Sequence, residues 1–150
     1  MSNFETLKTE ILRLSQADTW TQAIKEWILV GVHISEEPET CLCGHTPIKE
    51  MCMLLNKVTW NTAYVGNVCV TKFIRIPTNR IFSCVRKITK DPSAGLNNDL
   101  AQYAYQRDWL NEWEITFTEQ TKRKRKRSLS DKQRAVRIKI NKKILANMVR

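Results

Sequence analysis

The sequence predicts a mostly helical α+β protein, in which a small β-hairpin unit is flanked by helices and a long basic helix lies near the end. Apolar residues recur at helical spacing over most of the chain, and a β-branched stretch and a hairpin pattern interrupt them. Only 4 Gly and 4 Pro occur among 150 residues, which argues against a loop-dominated chain. The hydrophobic content of 42% is sufficient for a compact core.

The N-terminal part is predicted to contain two helices and a strand. Residues 3–16 show helical apolar spacing, and Asp18-Thr19 offers an N-cap for a short second helix. The apolar, β-branched residues 27–34 predict a strand. The polar residues 35–40, which include a proline, predict a loop.

A β-hairpin is predicted next, followed by a helix. Residues 48–55 and 62–65 have the composition of strands, with residues 56–61 as their connection. Residues 66–67 then turn the chain into a helix that is predicted to extend to residue 74.

The remainder of the chain is predicted to be helical with two breaks. Residues 91–98 form the first break, and the cationic run that begins at residue 122 forms the second. The predicted helix starts, in order along the chain, are Thr78 or Asn79, Asn98 or Asp99, Asp108, and Ser130, which would cap a last helix over residues 131–148.

Five cysteines make a complete set of disulfides impossible. The N-terminus lacks an apolar signal-peptide core, so we expect a reducing compartment in which thiols serve as metal ligands or as buried small side chains. Cys41, Cys43 and His45 fall within five residues, and Cys69 follows at a predicted helix start. A closed structural Zn²⁺ site needs four such ligands, so we predict Zn²⁺ as the cofactor.

The identity of the fourth zinc ligand is open at the level of sequence. Cys41, Cys43 and Cys69 are the first three, although one residue instead of the usual two separates Cys41 from Cys43. His45 is favoured as the fourth because it continues the same turn, and the alternatives are Cys52 and His33. Cys84 lies on an apolar helix face and is interpreted as core.

Part of the chain resembles a known group of proteins. The residues that carry the resemblance are Cys-x-Cys-Gly-His-x-Pro-Ile-Lys-Glu from Cys41 and Val-Gly-Asn-x-Cys-x-x-Lys-Phe ending at Phe73. This stretch, roughly residues 27–73, resembles small zinc-binding proteins carried by bacteriophages and prophages. The resemblance implies a treble-clef-like zinc unit attached to helices, and an origin in a mobile element. It implies no catalytic residues.

The positive charge is concentrated at the end of the sequence. Residues 122–150 carry 13 Lys/Arg and one acid, whereas residues 1–121 carry 12 Lys/Arg and 14 Asp/Glu, for a net charge of +10. We therefore predict one compact domain over residues 1–121, with a zinc unit at about 27–75, and a basic linker and helix over 122–150. Such a segment implies a polyanionic partner.

Nucleic acid is the favoured partner, and DNA is favoured over RNA. Without a partner, the run of six cations is expected to be extended or frayed because like charges repel. An apolar stripe on the last helix would pack on the body or on a second chain, which leaves a homodimer open. The predicted phosphate contacts are Lys122, Arg123, Lys124, Arg125, Lys126, Arg127, Lys132, Lys139 and Lys143.

The predicted function is that of a nucleic-acid-binding accessory or regulatory protein of a phage or mobile element. No catalytic motif is evident, so we expect no enzyme, although a treble-clef nuclease stays open. The alternative is a phage-encoded inhibitor of a host protein. We expect a cytoplasmic location in a bacterial host, or a nuclear one in a eukaryotic host, and no membrane association.

Overall fold

The structure is a computed structural model that describes residues 2–73 and 78–150. It confirms an α+β protein with mostly helical content and a three-stranded antiparallel sheet. The chain forms two compact units. Among the described residues, unit 1 contains residues 2–73 with Val149–Arg150, and unit 2 contains residues 78–148. The chain thus divides well before residues 121–122, where the sequence predicts a boundary.

Unit 1 combines a small sheet with short helices. Its elements are α1 (Asn3–Arg13), α2 (Trp20–Ala23), β1 (Trp27–Glu39), β2 (Ile48–Asn56), β3 (Thr62–Gly66) and α3 (Asn67–Val70). α1 begins with a capping box, in which the Ser2 hydroxyl accepts from the Glu5 N–H at 3.1 Å and the Glu5 carboxylate accepts from the Ser2 N–H at 3.0 Å. α3 ends at Val70, so the predicted helix is wrong over residues 71–73, which form a turn. Its predicted end at Ile74 lies outside the described residues.

The sheet has the order β1-β2-β3, and its register determines which side chains face the core. Val32, Cys52 and Val65 lie opposite one another, and all three are buried. Because neighbouring residues of a strand point to opposite faces, His33 and Tyr64 lie on the other face, where their rings meet edge to face at 6.4 Å.

β1 is longer than the sequence predicts, and the predicted loop is wrong for residues 35–39. The last residue of the chain pairs with this part of the strand. The Arg150 N–H donates to the Ile34 carbonyl at 2.8 Å, and the Arg150 carbonyl accepts from the Glu36 N–H at 2.6 Å. This pairing keeps the backbone extended despite the polar composition of the segment.

Unit 2 is helical throughout its regular structure. Its helices are α4 (Thr78–Lys90), α5 (Asn98–Gln106), α6 (Glu112–Thr121) and α7 (Asp131–Met148). α7 has the predicted bounds, with a reciprocal pair of 3.1 Å hydrogen bonds between Ser130 and Gln133 at its start. The predicted N-cap at Asp108 is wrong. Asn111 caps α6, whereas Asp108 has a φ of +61° in the turn after α5.

The core of unit 2 forms where α4 packs on α5 and α7. The apolar stripe of α7 contributes to it, since Ile140, Ile144 and Met148 are buried and Val136 is partly buried. This stripe is therefore covered within the chain itself.

The whole net charge of the protein belongs to unit 2. Residues 77–148 carry 17 Lys/Arg and 7 Asp/Glu, which gives +10, and the residues of unit 1 carry 8 of each kind, which gives zero. The two units thus differ in chemistry as well as in fold.

Candidate functional site

Three of the four predicted metal ligands come together in unit 1. Cys41 and Cys43 lie in the turn between β1 and β2, and Cys69 lies in α3, directly after the β2–β3 hairpin. Their three sulfur atoms lie within 4.8 Å of one another, and all three residues are buried. A metal ion can be held at this cluster of thiols, which we call the cysteine cluster.

Two glycines lie beside the cysteine cluster. Gly44 has a φ of +92° in the turn that the Gly44 N–H closes on the Cys41 carbonyl at 2.8 Å. At Gly66, a Cβ atom would meet Ile48 Cδ1 at 3.1 Å. The Gly66 N–H donates to Cys41 Sγ at 3.2 Å, so the backbone at this position contributes directly to the cluster.

The surroundings of the cluster stabilise a negative charge on sulfur. The Cys69 thiol donates to the Cys41 sulfur and, with the N–H groups of Cys43 and Gly66, lowers the pKa of the Cys41 thiol to about 5, although burial acts in the opposite direction. The same contact with Cys41 raises the pKa of the Cys69 thiol, and burial raises it further. The hydrogen bonds to Cys41 Sγ therefore favour the ionised form of this thiol over that of Cys69.

The chemistry of the donor set fits a soft or borderline divalent ion. Two thiolates at 2.3 Å from a tetrahedral Zn²⁺ are about 3.8 Å apart, which is compatible with the observed spread of the sulfur atoms. Backbone N–H groups that point at sulfur, such as that of His45 to Cys43 Sγ at 3.4 Å, are typical of the surroundings of metal-bound thiolates. A bound cation would allow all three thiols to ionise in a buried site.

The three candidates for the fourth ligand lie in different places. The His45 side chain is exposed and lines the same cleft as the three cysteines, of about 580 Å³, but it is not within the 4.8 Å cluster. Cys52 is completely buried among the core residues of the sheet. His33 lies on the opposite face in a separate cavity with Glu39 and Arg150, and burial lowers its pKa. Of the three, His45 is the one positioned beside the cluster.

A second candidate site, which we call the basic cleft, lies within unit 2. This cleft has a volume of about 600 Å³. One wall comes from α4 with Cys84 and Lys87, another from the turn that contains Asp91 and Gly95, and a third from residues 122–126. Its cationic lining residues are Lys87, Lys122, Arg123, Lys124, Arg125, Lys126 and Arg137.

Arg137 fixes the backbone that forms the basic cleft. Its side chain is 5% exposed and donates to the carbonyls of Thr121 at 2.5 Å, Lys124 at 3.3 Å and Ser93 at 3.3 Å. These bonds occupy carbonyls at the end of α6, which a helix otherwise leaves unsatisfied. They also tie the cationic run to the turn at residue 93, so residues 122–126 are folded, contrary to the predicted frayed linker.

The cationic side chains of the basic cleft differ in whether they already have a partner within the protein. Lys126 forms an ion pair with Asp91, and this contact lowers the pKa of the Asp91 carboxyl to about 2. Lys122 donates to Asn98 Oδ1 at 3.0 Å. Within the described part of the chain, no hydrogen bond or ion pair engages the side chains of the remaining rim cations. These are Lys87, Arg123, Lys124 and Arg125.

The predicted phosphate contacts thus separate into two groups. Lys122, Arg123, Lys124, Arg125 and Lys126 line the basic cleft. The others do not line it: Arg127, Lys132, Lys139 and Lys143.

Two lysines of α7 interact with the Glu114 carboxylate of α6. Lys143 pairs with the Glu114 carboxylate at 2.9 Å, and Lys139 acts electrostatically on the same carboxylate.

Sequence reasoning missed Lys87 and the role of Arg137. Nothing local distinguishes Lys87 from other helix lysines, and only the burial of Arg137 reveals its function.

The tip of the β2–β3 hairpin displays an aromatic side chain. Trp60 is 71% exposed and has a φ of +64°, in a turn where Asn56 Oδ1 accepts from the N–H groups of Val58 and Thr59 at 2.8 and 2.9 Å. A bulky residue rarely adopts this backbone conformation. The turn therefore holds an exposed tryptophan in a defined position.

No protein family model matches this chain, and neither a curated protein nor a solved structure matches it. The described helices include none that is both long and apolar enough to cross a membrane. The cysteine cluster, the basic cleft and the distribution of charge are therefore the features of the molecule that bear on its function.

Proposed function

We propose that this protein binds nucleic acid through the cationic residues 122–127 of unit 2, and that a structural zinc ion supports the fold of unit 1. In this proposal it is an accessory or regulatory protein of a phage or mobile element, and DNA is the favoured ligand. The observation that carries the proposal is the concentration of the entire net charge of +10 in unit 2.

The arrangement of these cations supports phosphate binding. Arg123, Lys124 and Arg125 are exposed, and no side-chain partner among the described residues engages them. Arg137 fixes the backbone beneath them through the Thr121 and Lys124 carbonyls. A folded cationic segment loses less conformational entropy on binding than a frayed one, and each phosphate it neutralises releases counterions.

The zinc part of the proposal is supported by the donor set. Three buried sulfurs within 4.8 Å favour Zn²⁺ over oxygen-preferring ions such as Mg²⁺ or Ca²⁺. We assign His45 as the fourth ligand, because its exposed side chain lines the same cleft as the three sulfurs. The sequence of a cysteine turn, a hairpin and a short helix is in keeping with a treble-clef-like unit.

A second candidate function is inhibition of a host protein. The observation that favours it is the braced hairpin tip of unit 1, where Trp60 and Val58 are 71% and 50% exposed. Trp is enriched among the residues that dominate protein interfaces. In this case Trp60→Ala would abolish partner capture from host lysate treated with nuclease, and Arg123, Lys124 and Arg125 would be dispensable.

The test of the primary proposal compares two triple variants of equal charge. One variant changes Arg123, Lys124 and Arg125 to Gln, and the control changes three exposed lysines of unit 1, Lys8, Lys25 and Lys57, to Gln. Fluorescence anisotropy is measured with duplex DNA, single-stranded DNA and RNA at 0.1 M salt.

We expect the unit 2 variant to bind about five hundredfold more weakly, since each of the three lost phosphate contacts costs about a factor of eight at this salt concentration. We expect the control to bind like the unaltered protein. Equal affinities for the two variants, or no binding of any nucleic acid by the unaltered protein, would overturn the proposal.

A further inference from the structure

The basic cleft contains a buried positive charge that no carboxylate compensates. Arg137 is 5% exposed, its guanidinium donates to three neutral carbonyls, and burial lowers its pKa. The one acidic group among the lining residues, Asp91, is paired with Lys126. A buried charge without a counter-charge is costly, so this arrangement favours an anion in the cleft.

The rim of the cleft points to the same kind of ligand. Lys87 extends from α4, and Arg123, Lys124 and Arg125 come from the segment after α6, so cations line more than one wall. Cations on two of the three walls favour a compact group with several charges. A nucleic-acid backbone that runs over a convex surface presents a single charge at each phosphate.

The size and composition of the cleft narrow the ligand class further. A volume of about 600 Å³ lies within the range of about 300–1,000 Å³ that is typical of small-molecule sites, and a double helix is too wide to enter such a cleft. The described lining residues include no aromatic side chain on which a base would stack. The chemistry therefore recognises phosphate rather than a nucleobase.

We propose that the basic cleft is a binding site for a compact, multiply charged phosphate group. Two sources offer this chemistry: the terminal phosphate of a nucleic-acid strand, and a free polyphosphate. The proposal deepens the proposed function, on which the strand-end source rests, because residues 122–126 belong to both. Lys87 and Arg137 line the cleft but do not belong to residues 122–127, so they distinguish the cleft site from the proposed nucleic-acid contacts.

The test uses the full chain and three probes at constant ionic strength. The probes are inorganic tripolyphosphate, a 5′-phosphorylated single-stranded oligonucleotide, and the same oligonucleotide with a 5′-hydroxyl. The variant is Lys87→Gln, and the matched control is Lys90→Gln on the same helix, where Lys90 is exposed and does not line the cleft. Affinity is measured by calorimetry, and the thermal unfolding midpoint is recorded with and without tripolyphosphate.

We expect tripolyphosphate to bind and to raise the unfolding midpoint, and Lys87→Gln to weaken this binding about tenfold while Lys90→Gln leaves it unchanged. A preference for the 5′-phosphorylated strand that Lys87→Gln removes would assign the strand end as the source. Tripolyphosphate binding without such a preference would assign a free polyphosphate.

Two outcomes would overturn the site. One is that tripolyphosphate has no effect beyond that of matched sodium chloride, and the other is that Lys87→Gln and Lys90→Gln bind it equally. The three probes also distinguish a failure of the cleft site from a failure of the proposed nucleic-acid binding. If both oligonucleotides bind equally and tripolyphosphate does not bind, nucleic-acid binding stands and the cleft site fails. If only tripolyphosphate binds, the cleft site stands and nucleic-acid binding fails.

Discussion

Replacement of Cys69 by Ser removes one sulfur from the cysteine cluster. Cys69 is 7% exposed, and its Sγ is one of three sulfurs within 4.8 Å of one another. Ser has nearly the same size, so the backbone of α3 should be retained. A hydroxyl is a much poorer zinc ligand than a thiolate, and we expect the variant to lose zinc affinity.

The expected effect on stability follows from ligand linkage. A metal that is present at a hundred times its Kd stabilises the folded protein by about 2.7 kcal/mol. For a chain of this length, 1 kcal/mol corresponds to about 2–4 °C in Tm. A chelator should therefore lower the Tm of the zinc-loaded protein by about 5–11 °C, and it should have little effect on the Tm of Cys69→Ser.

The assay combines metal analysis with differential scanning calorimetry, before and after chelation. Cys84→Ser is the matched control, because Cys84 is also a buried thiol, 4% exposed, and lies in unit 2 outside the cluster. The control should lose intrinsic stability yet keep its zinc and its full response to the chelator. Retention of stoichiometric zinc and of the chelator response by Cys69→Ser would refute the assignment of the cluster as the metal site.

Three further predictions concern other residues of the two sites. His45→Ala should weaken zinc binding at least tenfold without changing the Tm of the metal-free protein, as titration with a competing chelator would reveal; unchanged affinity would exclude His45 as a ligand. Arg137→Met should lower the free energy of unfolding by about 1–3 kcal/mol, because the loss of charged hydrogen bonds outweighs the gain from not burying a guanidinium. Trypsin should also cut residues 122–127 faster in this variant. An unchanged cleavage rate would contradict the anchoring role of Arg137. The pKa of Asp91, lowered by Lys126 to about 2, implies that the pair stabilises the fold above the ordinary value of 3.8 and that this contribution is lost as the pH falls towards 2. The contribution should stay below about 1 kcal/mol because the pair is at the surface. Carboxyl chemical shifts, followed as a function of pH, should show a higher pKa of Asp91 in Lys126→Gln. An unchanged pKa of Asp91 in this variant would contradict the pairing.

Local signals in the sequence were sufficient for much of the fold. The Ser130–Gln133 capping box predicts the start of α7 because both partners lie within four residues. The turn with Cys41 and Cys43 is similarly local, since Gly44 permits the conformation that it requires. The hairpin then brings Cys69 to this turn, as the order of strands and helix predicts.

The features that the sequence did not predict depend on distant partners. Residues 35–39 extend β1 because Arg150, at the far end of the chain, pairs with them. In the sequence, nothing distinguishes Arg137 from the other cations of the basic helix. Only tertiary packing reveals that it is buried beneath residues 121–124. Lys87 joins the same cleft from another helix. No composition or spacing rule connects residues that far apart.

The slope of log K against log salt for duplex DNA, measured from 0.05 to 0.3 M, tests the central claim most directly. If all six cations of residues 122–127 neutralise phosphates, the unaltered protein should give a slope of about −5. The variant that changes Arg123, Lys124 and Arg125 to Gln should give a slope of about −3, because about 0.9 is lost with each contact. The account is contradicted if the unaltered protein shows a slope near zero, or if this variant retains the full slope.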